Sequence, residues 1–205
     1  EFNEIYLTYA RVSEAVMAVF AEVTPRVEPV SMEEAFLDVS ATARQWGTPR
    51  QIGQWIRDTV ADEQGLTCSV GGAPTKTVAK MASRAAKPDG MRLVSRREVV
   101  PFLHPLPVRR LWGVGAKTAD KLRTHGVETV SDVAELSETA LTGLLGPAMG
   151  RQLFGLSRNI DRRRVVTGHR RRSVGAQRAL GKAGSAMSPE QVDAVVVNLV
   201  DRITR

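Results

Sequence analysis

The sequence predicts an α+β fold in which short strands and packed helices are followed by a smaller region of helices alone. Residues 3–23 carry apolar side chains at three- and four-residue spacing, which is typical of an amphipathic helix. Residues 26–30 and 35–39 alternate or run apolar, as the strands of a hairpin do. From Glu98 onward the strand-like runs stop, and prolines and glycines divide the chain into short helical segments.

Other elements of the first part have local signals of their own. A helix over residues 49–64 is predicted by a capping box at Thr48 and by Gly65 as its stop. A buried strand over residues 66–70, a Gly-rich turn and a helix at about 75–85 follow. The first helix is expected to pack on the sheet through its apolar stripe, which consists of Ile5, Tyr9, Val12, Val16, Phe20 and Val23.

The helical region follows a last predicted strand at residues 91–95. Within it Ser131 is a predicted N-cap, because a serine hydroxyl accepts hydrogen bonds from the free amides at a helix start. Leucines beyond it are expected to form a small core, namely Leu136, Leu141, Leu144 and Leu145.

Adjacent carboxylates, Glu33 and Glu34, lie between the two strands of the predicted hairpin. On one straight strand they would face opposite ways, but at a hairpin tip they can converge. Neighbouring carboxylates repel one another unless a divalent cation screens them, and Mg²⁺ is a hard ion that prefers oxygen ligands. The pair taken alone also fits a solvated turn, since Glu is rarely buried.

A lysine, Lys76, begins the helix that follows the turn Gly71-Gly72-Ala73-Pro74. In that position a lysine and the free backbone amides can meet phosphate oxygens. Lys80 lies four residues later on the same helix face. The spacing is not that of a P-loop, so a solvated helix face is the alternative.

The stretch from Leu111 to Leu122 predicts a helix-hairpin-helix. Gly113 and Gly115 allow a tight turn with open backbone amides, and Lys117 and Lys121 lie on the helix that follows. Such a motif contacts the phosphate backbone of DNA, so binding is expected to be sequence-independent and salt-dependent. A plain turn is the alternative.

Composition suggests a polyanionic partner, of which nucleic acid is the leading candidate, and a basic but non-binding surface is the alternative. Lys and Arg outnumber Asp and Glu by 29 to 22, which gives a net charge of +7. A cationic linker is expected to lie along duplex DNA or to act as a solvated tether, and it contains Arg162, Arg163, Arg164, Arg170, Arg171 and Arg172.

The sequence also bears on the compartment. No apolar run approaches the roughly eighteen residues of a membrane span, and the start lacks the pattern of a signal peptide. With a single cysteine, Cys68, the chain has no intrachain disulfide. We therefore expect a reducing, cytoplasmic setting, and the arginine-rich composition suggests a bacterial one.

Residues Ser31 to Asp38 resemble the Ser-x-Asp-Glu-Ala-aromatic-Leu-Asp palm signature of Y-family, lesion-bypass DNA polymerases of the DNA polymerase IV type. The stretch from Cys68 to Gly90 resembles the family's second palm signature, and the small helical region resembles its thumb. Glu33 stands where the family usually carries Asp, which keeps the charge and adds a methylene.

The resemblance implies four domains: a partial palm at 1–97, a thumb at 98–161, a basic linker at 162–172 and the start of a little finger at 173–205. The little finger is expected to open with a strand at residues 173–178 and a helix starting at Ser188. An early palm strand carrying a further Asp, together with the fingers, is expected upstream of Glu1.

Site roles follow from the same resemblance. Glu33 and Glu34 would be catalytic ligands of two Mg²⁺ ions, Lys76 would contact the triphosphate, and Lys80 would be structural or touch the backbone. The expected DNA-binding residues are Gly113, Gly115, Lys117, Lys121, Arg171 and Arg172.

The implied activity is error-prone translesion synthesis, with nucleotidyl transfer from a dNTP to a primer 3′-hydroxyl. The implied partners are primer–template DNA, dNTP and a replication sliding clamp reached through segments beyond this chain. The chain alone is expected to bind DNA without extending a primer. Two alternatives stay open: a catalytically defective polymerase-like accessory protein, and a helix-hairpin-helix module fused to an unrelated α/β domain.

Overall fold

A computed structural model of the chain describes residues 2–168, 174–181 and 186–204. The fold class is α+β, as the sequence predicts, and the chain divides into the units Glu1–Thr167 and Gly168–Arg205. Among the described residues, no helix is both long and apolar enough to cross a membrane. The domain boundaries expected from the sequence stay predictions.

Helix α1 spans Phe2–Val23 and buries only its second half. Val19 and Val23 belong to a core shared with the helix over residues 49–64, whereas Ile5 and Tyr9 are 57% and 65% exposed. The predicted apolar stripe is therefore wrong at its start. That core contacts only the last turns of α1, so the prediction from helical spacing made the buried stripe too long.

Helix α3, Pro49–Gln64, follows the short helix α2, Ala43–Trp46, and confirms its predicted signals. The Thr48 hydroxyl accepts from the Gln51 amide and the Gln51 side chain accepts from the Thr48 amide, which completes the capping box. Gly65 ends the helix with a left-handed φ of 63°. These caps fix both ends of the helix on which the sheets pack.

The four described strands form two separate pairs. Strand β1, Val27–Pro29, runs antiparallel to β2, Ala35–Leu37, with Val27 opposite Leu37. Strand β3, Val70–Gly72, runs parallel to β4, Met91–Leu93. The second pair is parallel because a helix crosses over between its strands.

Strand β3 differs from its prediction, which ended at Val70. The strand instead begins at Val70 and takes in Gly71 and Gly72, on which helix α4, Lys76–Ala85, packs directly. Residues 66–69 form no strand, and Leu66 is exposed, so the predicted buried strand is wrong over that stretch. A Cβ added at Gly71 would lie 2.1 Å from the carbonyl oxygen of Ala79. Glycine here therefore permits close strand–helix approach, which the sequence suggested only as a turn.

Short helices complete the first unit. They are α5 Val99–Leu103, a 3₁₀ helix Val108–Arg110, α6 Ala116–Arg123, α7 Val130–Glu135, α8 Glu138–Leu145 and α9 Pro147–Leu156. Thr129, rather than the predicted Ser131, caps α7 through a capping box with Asp132. Leu141 is fully buried, and its core continues into α4 through Val78 and Met81.

The second unit contains helix α10, Pro189–Thr204, which begins after Ser188 as predicted. The Ser188 hydroxyl accepts from the Gln191 amide at 3.3 Å. Residues 174–178 form no strand, so the expected opening strand is wrong over its described part. A strand needs a partner, and the described residues of this unit offer none.

The close approach at Gly71 can be tested by substitution. Gly71→Ala should lower the free energy of unfolding by about 2–3 kcal/mol, because the added methyl meets helix backbone that cannot move aside. Gly143→Ala is the matched control, since it lies within α8 in open space and should stabilise by about 0.5–1 kcal/mol. Urea denaturation followed by circular dichroism measures both. Equal effects would contradict this packing.

Candidate active site and nucleic-acid interface

The turn between β1 and β2 presents the two adjacent carboxylates. The amides of Val30 and Ser31 donate to the Glu34 carbonyl oxygen at 2.8 and 3.2 Å. The Ser13 hydroxyl of α1 donates to the Met32 carbonyl at 2.6 Å. The turn is therefore fixed by backbone bonds, with Glu33 exposed and Glu34 half-buried.

Lys80 is the lysine that meets this turn. Its Nζ lies 2.5 Å from Oε2 of Glu34. The side chains are 27% and 42% exposed, respectively, so the ion pair is open to solvent. An ion pair this exposed contributes about 0–1 kcal/mol, which leaves Lys80 able to change partners.

Lys76, the lysine expected to contact the triphosphate, forms its ion pair on strand β1 and not at the acidic turn. Its Nζ lies 2.6 Å from both carboxylate oxygens of Glu28 and 4.8 Å from the centre of the Phe36 ring. The Lys76 and Glu28 side chains are only 10% and 12% exposed. Four residues advance a helix by about 6 Å, so Lys76 meets β1 while Lys80 reaches the turn.

Glu28 is a site residue that the sequence did not lead us to predict. The sequence did contain a sign of this role, because Glu28 is a single acidic residue inside an otherwise apolar strand. A carboxylate in such a position is buried only if a cation or several hydrogen bonds compensate it. Lys76 and the amide of Val166, at 2.7 Å, supply that compensation.

The acidic pair fits a divalent cation only in part. Carboxylate oxygens suit Mg²⁺, which takes about six oxygen ligands. Within the part of the chain that the structure describes, no three His, Cys, Asp or Glu side chains come together as a metal site. Asp38 of the same signature is bound to other side chains: it accepts hydrogen bonds from Ser40 and from Arg26, and these lower its pKa.

The predicted hairpin joins the 3₁₀ helix to α6. Gly113 has a φ of 97°, which favours glycine, and Gly115 is the N-cap of α6. Lys117 and Lys121 are exposed on that helix, whereas Arg123 forms an ion pair with Asp120 at 2.8 Å. The hairpin therefore presents open backbone and two cations on one surface.

A buried carboxylate, Asp161, caps helix α4 from outside, a role that the sequence did not reveal. Its Oδ2 accepts from the amide and hydroxyl of Thr77 at 3.1 and 2.7 Å. Burial alone would raise the pKa of Asp161, but hydrogen bonds from Arg163 and Thr77 outweigh it and lower that pKa well below its usual range. Asp161 thus stays ionised at neutral pH.

The predicted cationic linker is only partly free. Arg163 forms a bidentate ion pair with Asp161, with distances of 2.7 and 2.8 Å, so it is not a solvated tether residue. Arg171 and Arg172, the linker residues expected to bind DNA, lie outside the described residues. Their role stays a prediction.

Comparison with known proteins gives two family matches along the chain. Residues 4–84 match the impB/mucB/samB family, and residues 109–161 match the family described as DNA polymerase-iota, thumb domain. The first match contains the acidic turn and both lysines of α4. The second contains the hairpin and ends at Asp161.

Individual proteins agree with these matches. DNA polymerase IV 2 of Mesorhizobium japonicum is 41% identical over 195 residues, which cover 95% of this chain and 46% of that protein. A solved Y-family DNA polymerase chimera has a TM-score of 0.74 at 25% identity and covers 80% of this chain and 48% of its own. An insertion ternary complex of Dbh DNA polymerase has a TM-score of 0.72 at 25% identity, with coverages of 78% and 47%.

The chain belongs to the Y family of lesion-bypass DNA polymerases, as its palm signatures predicted. Within that family, the curated relatives that it matches include DNA polymerase IV proteins of several bacteria. The chain spans about half the length of these relatives or less.

The different burial of the two lysines predicts different costs of removing them. Lys76→Met should lower the free energy of unfolding by about 3 kcal/mol, because Glu28 then loses a buried cation. Lys80→Met, the matched control, should cost about 1 kcal/mol or less. Urea denaturation of this chain distinguishes the two. Similar losses for both variants would contradict this assignment of burial.

Proposed function

We propose that the chain is the palm-and-thumb part of a template-directed, error-prone translesion DNA polymerase. The observation that carries the proposal is the solvent-open pair of Lys80 and Glu34 at the tip of the palm hairpin. Nucleotidyl transfer needs a carboxylate that holds a metal ion and a cation that binds the triphosphate. This exposed pair offers both groups at one point. The family membership supports that use of the pair.

The triphosphate lysine in this proposal is Lys80, in place of Lys76. A bound triphosphate carries several negative charges and competes easily with one exposed carboxylate for a lysine. Lys76 is less able to bind a triphosphate, because moving away from Glu28 would leave a buried carboxylate without its cation. We therefore assign nucleotide binding to Lys80 and a structural role to Lys76.

The reaction proposed is attack of the primer 3′-hydroxyl on the α-phosphorus of the dNTP, with pyrophosphate leaving. Lys80 would stabilise the negative charge that develops on the leaving group. When bound, two Mg²⁺ ions neutralise the phosphate charge, and Glu33 and Glu34 would hold them. We propose that a further ligand comes from the length of the relatives that this chain does not cover.

DNA binding is proposed for the hairpin. The open backbone at Gly113 and Gly115 and the cations Lys117 and Lys121 suit phosphodiester oxygens. Arg171 and Arg172 are proposed to extend that contact. The solved relative in an insertion ternary complex supports primer–template DNA and dNTP as partners. A cytoplasmic location, and a sliding clamp bound through other segments, are part of the same proposal.

A second candidate is a polymerase-like accessory protein that binds DNA without catalysis. The observation that favours it is the incomplete metal site in the described part of the chain, together with Glu33 in place of Asp. Primer extension by the full-length protein distinguishes the two. Nucleotide addition supports the polymerase, and DNA binding without addition supports the accessory protein.

Catalysis tests the roles of Glu34 and Lys80. In the full-length protein, Lys80→Met should lower kcat/KM for dNTP about 100-fold, with a lower kcat as well as a higher KM, because it removes a charge that binds the triphosphate and stabilises the leaving group. Glu34→Gln should abolish primer extension while duplex affinity stays within about twofold. Steady-state kinetics with Arg50→Gln, an exposed change on α3, provide the control. Unchanged kcat/KM in Lys80→Met would reject this role.

DNA affinity tests the hairpin in this chain alone. Lys117→Ala and Lys121→Ala should each reduce the slope of log K against log salt by about 0.9, because each variant neutralises one phosphate fewer. Arg50→Ala removes one charge from α3 and should leave the slope unchanged. Fluorescence anisotropy with labelled duplexes of two sequences measures the slopes. Equal slopes for all variants would contradict the proposed interface.

A further inference from the structure

Two hydroxyl groups attach the β-hairpin formed by β1 and β2 to helix α1 and the residue that follows it. The Ser13 hydroxyl donates to the Met32 carbonyl oxygen at 2.6 Å, at the acidic turn. The Thr24 hydroxyl donates to the Asp38 carbonyl oxygen at 2.9 Å, at the other end of the hairpin, and accepts from the Arg26 amide at 3.2 Å. The hairpin is therefore fixed at two separate points.

The two points agree with the regular geometry of helix and strand. Ser13 and Thr24 span about 16 Å of helix, because each residue advances a helix by about 1.5 Å. Met32 and Asp38 span at most about 20 Å of extended chain, at about 3.3 Å per residue. Because the two spans are similar and both ends are bonded, the turn has little freedom to shift along α1.

Ser13 continues the buried face of α1 toward the acidic turn. Val16, Phe20 and Val23 pack in the core that α1 shares with α3. Ser13 precedes Val16 by three residues, so it lies on the same face of the helix. A half-buried serine adds little apolar burial, so its contribution at this position is the hydrogen bond to the turn.

The Met32 carbonyl belongs to the peptide group that leads into Glu33. Because a peptide group is planar, a bond that fixes this oxygen also fixes the amide of Glu33 and limits the direction of its side chain. On the other side of Glu33, the Glu34 carbonyl oxygen accepts from the amides of Val30 and Ser31 at 2.8 and 3.2 Å. The backbone is therefore held on both sides of the first carboxylate, by α1 and by the turn itself.

We propose that Ser13 is a positioning residue whose hydrogen bond holds Glu33 and Glu34 in the arrangement that takes a divalent cation. The inference rests on the proposed function, in which these two carboxylates hold Mg²⁺. Adjacent carboxylates repel one another, and a turn without this bond would let them separate. A cation would then have to order the turn as it binds, which weakens binding. With Ser13 in place, the cation binds at a lower concentration.

Hydrogen exchange of this chain, without metal or DNA, tests whether each hydroxyl holds its own end of the hairpin. Ser13→Ala should speed exchange of the Val30 and Ser31 amides about fivefold, because the turn opens more often. Thr24→Val keeps the shape of its side chain and should instead speed exchange of the Asp38 amide, whose hydrogen bond lies at the other end. Equal acceleration at both ends in Ser13→Ala, or none at the turn, would overturn the role of Ser13.

Primer extension by the full-length protein tests the effect on the cation. Ser13→Ala should raise the Mg²⁺ concentration that gives half-maximal rate about fivefold, and saturating Mg²⁺ should restore the rate to within about twofold of wild type. Thr24→Val, the matched control, removes a hydroxyl at the far end and should shift that concentration less than about twofold. A normal Mg²⁺ dependence in Ser13→Ala, or an equal shift in both variants, would overturn the inference.

Glu34→Gln in the same assay separates the inference from the proposed function. If Glu34→Gln abolishes extension while Ser13→Ala has the Mg²⁺ dependence of wild type, the proposed function stands and the positioning role of Ser13 is wrong. If Glu34→Gln still extends primers, the proposed function is wrong. Exchange of the Val30 and Ser31 amides would then decide by itself whether Ser13 holds the turn.

Discussion

The position of the chain after α9 depends on one interaction, the contact of the buried Asp161 carboxylate with the first turn of helix α4. Thr77 donates to it through both its amide and its hydroxyl. Because a buried carboxylate must keep its hydrogen bonds, the segment that follows α9 is held beside the first turn of α4. Neighbouring contacts follow from it: Asn159 with Thr75 at 3.1 Å, and Val166 with Glu28 at 2.7 Å. Residues 159–166 are thereby joined to strand β1 and to the helix that carries both lysines.

The position of α4 gives its two lysines different partners and different burial, although their side chains are chemically identical. Lys76 is enclosed by Glu28 and the Phe36 ring, so its charge stabilises the joint between helix and strand. Lys80 lies one turn further, at the edge of the acidic turn, where solvent and a ligand can reach it. Burial is therefore the basis on which we propose a structural role for Lys76 and a binding role for Lys80. The same helix thus contributes to stability at its start and, in the proposed function, binds the nucleotide at its second turn.

Much of the fold could be predicted because its signals are local. Helix α3 carries its own capping box, and the helix-hairpin-helix is encoded within about a dozen residues. The different partners of Lys76 and Lys80 could not be predicted, since periodicity puts both on one helix face without showing where the helix lies along the strands. Asp161 was missed because its partner Thr77 lies 84 residues away. Gly71 was taken for a turn because only the packing of α4 reveals the need for a small residue.

We propose that Lys80, and not Lys76, exchanges its carboxylate for the nucleotide. A crystal structure of the full-length protein with primer–template DNA and a non-hydrolysable dNTP analogue tests it directly. We predict Lys80 Nζ within about 3 Å of a triphosphate oxygen, with Lys76 still on Glu28. Lys76 on the triphosphate, or Lys80 still paired with Glu34 beside a bound nucleotide, would rule out this exchange.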